Sequence, residues 1–296
     1  MYPKKSTIVR INLTALRAAF GLLERVAPGL GARWAARRWL TVPVYRGRPR
    51  PAVFPPGEPF TVTVAGRRVH GRTWGSGPAV YLVHGWGGIG SQLRTYLEPL
   101  LDAGYRVVTY DAPSHGASDP GRLGPGRACI PEMAEAFAAV VEAHGPAHAV
   151  IAHSLGCNAA FLALTEGVRA DRLVFLAPMT QPVPYTAIFG ATLGFDTRIR
   201  TRMVERVARM VGSPWSAFDL PSRVAEITPP PLLTVHDPGD RETRYADSVA
   251  LAKAWPGATL HTVRDLGHWR LLHDTDTVAR AVAFITAGAA DRAAAS

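Results

Sequence analysis

Cysteine is nearly absent. The 296 residues include only Cys129 and Cys157, too few for a disulfide framework and consistent with a reducing, cytoplasmic compartment. Cys157 falls one helical turn after Ser154, where packing explains it. No apolar run reaches the length of a membrane span. No cysteine–histidine spacing suits zinc, and no Walker-type or dinucleotide-binding glycine loop occurs, so neither a metal nor a cofactor is expected. A secretory leader fits poorly, because charges interrupt the N-terminal apolar stretch and no small-residue cleavage site follows. An organellar transit peptide would share the acid-poor bias of this region. Of 33 basic and 23 acidic side chains, the first 50 residues hold eleven and one, the single acid being Glu24. Residues 51–296 therefore carry 22 of each, and the formal net charge of +10 belongs to an N-terminal arm. The main body is not a basic nucleic-acid surface, and no nucleic-acid partner is expected.

With 47% apolar and 19% charged residues, the chain has the makeup of a globular protein, long enough for one large domain or two small ones. The arm reads as an amphipathic helix over residues 8–27. Ile8, Ile11, Leu13, Leu16, Phe20, Leu23 and Val26 recur at three- and four-residue steps, opposite a narrower stripe of Arg10, Arg17 and Glu24. The run Pro28-Gly29-Leu30-Gly31 reads as a break. A second short helix, 32–40, follows with Arg33, Trp34, Arg37, Arg38 and Trp39. These helices are expected to dock on the body or on another copy. Alternatively residues 1–45 anchor at an anionic membrane surface, with Trp at headgroup level. Proline, glycine and arginine crowd residues 46–59, as in a linker.

Beyond it, strands and helices alternate. A hairpin spans 60–74, turning at Ala65-Gly66, and the continuous apolar strand 79–83 opens into His84-Gly85-Trp86-Gly87-Gly88. After a helix over 91–103, the strand 105–110 empties into Asp111-Ala112-Pro113-Ser114-His115-Gly116-Ala117-Ser118. A helix follows over 131–144. The small, apolar strand ending in Ile151-Ala152-His153 then runs into Ser154-Leu155-Gly156 and a helix to Leu164. A serine at such a strand-to-helix turn cannot hide in the core, because the tight turn exposes its hydroxyl above the sheet edge. Further strands are expected at 172–176, 232–236 and 258–263, with helices at 245–255 and 275–286. That alternation predicts a mostly parallel twisted sheet covered by helices on both faces. Between Ala177 and Pro229 no strand is expected; an apolar stretch there leads to an arginine-rich helix over 197–212.

These motifs resemble the α/β-hydrolase superfamily over roughly residues 60–287. The elbow is its G-x-S-x-G with Ala152 in the first place, and the loop after the 105–110 strand is its D-x-P-G-H-G-x-S with Ser114 where glycine is usual. The resemblance implies an α/β-hydrolase core at 51–178 and 229–296. It further implies a helical cap, inserted after the sixth strand at 179–228, beside the arm and linker at 1–50.

A serine hydroxyl needs a base, the base an orienting carboxylate, and the developing oxyanion a set of donors. On the resembled fold these come in the order Ser, acid, His. Ser154 is the expected nucleophile. The family pattern sets the acid three residues after the small residue closing its strand. With Asp237 in that small-residue place, Asp240 is favoured over Asp237 and Glu242. As base, His268 after Gly267 is favoured over His273. The backbone N–H groups of Leu155 and Trp86 are the expected oxyanion donors, with Gly85, Gly87 and Gly156 permitting close backbone approach and His84 and His115 shaping the loops. Asp111 reads as structural, and His153 as packing or tuning of the elbow. The expected activity is cleavage of carboxylic esters or thioesters of a small acyl substrate. An acyltransferase with the same residues and a catalytically silent binding protein are the alternatives.

Overall fold

A computed structural model describes residues 5–43 and 56–293. Most of the linker expected at 46–59 lies outside the described residues. The chain divides into two compact units, residues 1–41 with 181–217, and residues 42–180 with 218–296.

The larger unit is built on eight strands: β1 (Glu58–Val64), β2 (Arg67–Trp74), β3 (Ala79–Val83), β4 (Arg106–Tyr110), β5 (Ala147–His153), β6 (Ala170–Leu176), β7 (Leu232–His236) and β8 (Thr259–Thr262). Their spatial order is β1-β2-β4-β3-β5-β6-β7-β8. From β4 to β8 all pairings are parallel; β1 and β2 join as an antiparallel hairpin. Ala65 (φ 47°) and Gly66 (φ 76°) close that hairpin, both left-handed as a tight primed turn requires. β3, β5 and β7 are buried at every residue. They therefore appear in sequence as unbroken apolar runs rather than alternations. The core beneath the sheet gathers Val80, Leu82, Ile151, Val174, Val235 and Ile285.

Helices of both units are numbered together along the chain. α1 (Lys5–Val26), α2 (Pro28–Trp39), α6 (Val183–Leu193) and α7 (Thr197–Val211) belong to the smaller unit. The larger one holds α3 (Leu97–Asp102), α4 (Ile130–His144), α5 (Leu155–Thr165), α8 (Leu220–Arg223), α9 (Tyr245–Ala254), α10 (Gly267–Arg270) and α11 (Thr275–Ala293).

The smaller unit departs from the sequence reading in three respects. First, Pro28 does not separate the two arm helices by a broken stretch; it occupies the first turn of α2, where its missing N–H has no acceptor to lose. Gly29 and Gly31 then lie inside α2. A Cβ on Gly31 would stand 2.4 Å from Ile199 Cδ1 and 3.2 Å from Leu23 Cβ, so this glycine serves close helix packing. Second, the arm and part of the 177–229 segment form one body. Ile199, Met203, Val207 and Val211 make the buried stripe of α7. Phe20 stacks on Trp34 at 4.5 Å and meets Phe195 at 5.1 Å. Trp39 packs on Phe189 at 5.3 Å and on Trp215 at 5.7 Å. Both arm tryptophans are thus engaged with the unit's own aromatics. Third, residues 218–228 group with the larger unit; Leu220 N–H donates to Thr180 O at 3.0 Å, and Asn158 Nδ2 to Phe218 O at 2.8 Å. Among the described residues, no helix is long and apolar enough to cross a membrane.

Candidate active site

All the expected site residues lie in the larger unit, on loops that leave the same ends of its parallel strands. Ser154 follows the last residue of β5 with φ 54° and ψ −123°. A side chain at such positive φ costs on the order of 1–3 kcal/mol, and neighbouring contacts must hold it there. Ser154 N–H donates to Leu176 O at 3.0 Å, while Ser154 O accepts from Cys157 N–H at 3.1 Å and Met179 N–H at 3.2 Å. Space is the second constraint. A Cβ on Gly156 would lie 2.5 Å from His84 O, and one on Gly85 would lie 2.9 Å from Ser154 Cβ. The turn after β3 and the elbow after β5 can therefore touch only with glycine at both positions. Leu155 opens α5, so its N–H belongs to the first turn, which helix geometry leaves without an internal acceptor and at the positive dipole end.

Two histidines shape the turn that carries Trp86. His84 Nε2 accepts the Ala112 N–H at 2.9 Å, so its Nδ1 holds the proton and donates to Gly85 O at 2.8 Å. His115 repeats the arrangement, with Nε2 accepting the Gly87 N–H at 3.1 Å and Nδ1 donating to Pro113 O at 2.9 Å. Burial pushes the His84 pKa down to about 4. Burial, helped by the neighbouring His84, pushes that of His115 to about 3. Both rings are neutral spacers that fix the Gly85–Gly88 turn. Asp111 is similarly consumed, accepting the N–H groups of Gly90 at 2.7 Å and Ala117 at 2.8 Å. Ser114, in the place where glycine is usual, has φ 63°. Its hydroxyl donates to Arg127 O at 2.7 Å and accepts from Gly121 N–H at 2.9 Å, which offsets the backbone strain.

The structure brings Asp240 and His268 together. His268 Nδ1 lies 2.8 Å from Asp240 Oδ2, and both side chains are buried. Asp240 Oδ1 accepts the N–H groups of Glu242 at 2.7 Å and Thr243 at 3.0 Å, and Oδ2 lies 2.9 Å from the Thr243 hydroxyl. Burial alone would raise the Asp240 pKa, but hydrogen bonds from His236 and His268 outweigh it and hold the carboxyl far below its ordinary range. The rival acid has another task. Asp237 Oδ2 accepts the N–H groups of Leu266 at 2.6 Å and Gly267 at 2.7 Å, and Oδ1 that of Gly239 at 2.7 Å. It ties the loop that presents His268 to the end of β7, and those N–H groups lower its pKa against the opposing effect of burial. Glu242 is nearer the surface; it receives the Trp269 indole N–H, and its Oε2 lies 3.9 Å from His268 Nε2. His273 stands elsewhere, 3.4 Å from the Thr95 hydroxyl.

Two partners, His236 and Thr243, were not assigned from sequence, and the contacts of a third, His153, were not foreseen. His236, the last residue of β7, points Nε2 at Asp240 Oδ2 (3.4 Å) and Nδ1 at the Ser248 hydroxyl (2.7 Å). The Thr243 hydroxyl lies between two acceptors, Asp240 Oδ2 at 2.9 Å and the Ala177 carbonyl at 3.1 Å, and its one proton can serve either. His153 lies against the base: its ring is 4.5 Å from the His268 ring, its Nε2 is 3.1 Å from His268 O, and its Nδ1 is 3.1 Å from Gln92 Nε2. Complete burial, together with the adjacent His268, holds the His153 pKa well below its ordinary value. The ring thus bridges the elbow strand and the base loop. A histidine beside the serine was the available signal, but its partners on two distant loops were not legible. Among the described residues, no group of three or more His, Cys, Asp or Glu side chains is placed to hold a metal ion.

The model of the alpha/beta hydrolase family matches residues 80–281. The chain belongs to this family. A 2-hydroxy-6-oxo-6-phenylhexa-2,4-dienoate hydrolase of Burkholderia cepacia is 26% identical over 257 residues, covering 72% of this chain and 89% of that protein. A non-heme chloroperoxidase of Kitasatospora aureofaciens is 36% identical over 62 residues, which span 21% of this chain and 22% of the chloroperoxidase. Among solved structures, an esterase of Exiguobacterium antarcticum superposes with a TM-score of 0.58 at 16% identity, over 76% of this chain and 98% of that one. At that identity the likeness shows the fold.

Proposed function

We propose that this α/β-hydrolase cleaves carboxylic esters or thioesters through an acyl-enzyme on Ser154. The observation that carries the proposal is the left-handed Ser154 at the mouth of α5 together with the buried Asp240–His268 pair on the loops after β7 and β8. His268 takes the hydroxyl proton as Ser154 Oγ bonds to the acyl carbon. It then gives that proton to the departing alcohol or thiol as the ester bond breaks. Water, deprotonated by the same ring, releases the acid and restores Ser154. Asp240, ionised and fully hydrogen-bonded, stabilises the imidazolium that forms in each step. The N–H groups of Leu155 and Trp86 serve the oxyanion. Acyl transfer to an alcohol in place of water would use the same groups.

Pre-steady-state turnover of 4-nitrophenyl esters and acyl thioesters tests the proposal. The expected result is a burst of about one nitrophenolate per enzyme, lost in Ser154→Ala. Undiminished turnover in Ser154→Ala would refute it. Faster turnover of 2-hydroxy-6-oxo-6-phenylhexa-2,4-dienoate, the compound named for the Burkholderia relative, would move the substrate class away from esters.

A further inference from the structure

We infer that the smaller unit docks on an anionic bilayer surface through the corner that joins α1 to α2. Charge is the first observation. Residues 1–41 and 181–217 together hold 13 basic and 3 acidic side chains, so the entire formal net charge of +10 resides in this unit. Residues 42–180 and 218–296 hold 20 of each.

Apolar exposure follows the same partition. Among the described residues, the exposed large apolar side chains are Leu13, Leu22, Val26, Leu30, Val183, Ile188 and Val249, and all but Val249 lie in the smaller unit. The most exposed of them cluster in sequence at the corner: Leu22 at 60%, Val26 at 69% and Leu30 at 58%. Leu22 and Val26 are one turn apart on the same face of α1. Leu30 follows in the first turn of α2, and Arg25 and Arg33 are exposed beside them. These apolar groups are not remnants of the unit's own core, which Phe20, Trp34 and Phe195 fill.

Glu24 is the acid nearest in sequence, and it is occupied elsewhere. Its carboxylate accepts the N–H groups of Arg198 at 2.8 Å, Ile199 at 3.1 Å and Asp196 at 3.3 Å. It caps α7, and with it counted the unit's formal charge is still +10.

A phosphate-rich bilayer surface matches both properties. Arginines gain attraction within roughly a Debye length, about 10 Å at 0.1 M salt, while leucine and valine enter the headgroup boundary. A nucleic acid would use the charge and leave the apolar trio idle. A second copy would bring +10 against +10. With no crossing helix among the described residues, the attachment is peripheral.

The test is sedimentation of the full chain with phosphatidylcholine vesicles, with and without roughly a third phosphatidylglycerol. Binding is expected only with the anionic lipid, with release as salt rises. Arg25→Glu with Arg33→Glu should weaken it at least about tenfold. Leu22→Ser, Val26→Ser and Leu30→Ser together should also weaken it at least about tenfold, since the apolar insertion is lost. All five sites are exposed, so melting should be unchanged. Failure to bind anionic vesicles at low salt overturns the inference. So does unchanged binding by the triple-serine chain, which would reduce the contact to bulk charge. A dimer in light scattering that the triple-serine chain loses would assign the face to a second copy and likewise overturn it.

Discussion

Asp237 and Asp240 leave the same strand end and carry separate tasks. Asp240 grips the ring of His268, while Asp237 grips the backbone of the loop that presents it. Asp240→Asn should lower kcat about 10³–10⁴-fold, because the amide cannot stabilise an imidazolium. Asp237→Asn should instead cost about 1–3 kcal/mol of stability, as the Leu266 and Gly267 N–H groups lose a charged acceptor. Its folded pKa is depressed, so the stabilisation it supplies is present above an unfolded pKa of about 4 and fades as pH falls below it. Denaturant titrations of both chains at neutral and acidic pH should show the gap between them closing. The preference for Asp240 follows from the resembled family's pattern, in which Asp237 stands in the place of a small residue; the backbone contacts of Asp237 have no counterpart in that pattern. The contribution of His236 and Thr243 was not. Each reaches Asp240 through a bend in the loop after β7 that has no periodic signature.

Helices and strands were legible to different degrees, for a physical reason. The central strands are buried on both faces, and an unbroken apolar run between turn residues marks them. The union of the arm with α6 and α7 was invisible, because an amphipathic face announces that it needs a partner without naming one. Glycine added to the difficulty. Gly31 read as a breaker, yet it lies within the first turn of α2, where Ile199 occupies the space a side chain would need. Glu24 provides the check at this scale. Glu24→Ala removes the acceptor of three N–H groups at the start of α7 and should cost about 1–2 kcal/mol in thermal unfolding. Glu24→Gln should recover part of it. An unchanged melting profile in both variants would show that the cap contributes nothing. Gly156→Ala should be far more damaging, because the atoms it meets are the carbonyl oxygens of His84 and Val83, which cannot rotate aside.

For the whole molecule, acid sensitivity follows from histidines buried in neutral form. His84 is lowered to about 4, His115 to about 3, and His153 well below its ordinary value. Each binds its proton more readily in the unfolded chain, whose histidine pKa is about 6.5, so folding is favoured above that pH and loses stability as pH falls toward the folded values. Each ring contributes a slope of up to about 1.4 kcal/mol per pH unit in that window. Denaturant midpoints taken from about pH 7 down to about pH 4 should fall steadily, and His115→Gln should flatten the descent. A flat wild-type profile would contradict the burial of these rings. The composition carried one further property of the whole chain, since the excess positive charge maps onto one structural unit and leaves the catalytic body neutral. Which atoms do chemistry is decided most directly by a fluorophosphonate, which labels only an activated serine. Peptide mapping of the labelled full chain should place one phosphonyl group on Ser154, with labelling lost in Ser154→Ala and slowed in His268→Ala. An unlabelled chain, or a label on any other residue, would contradict the account.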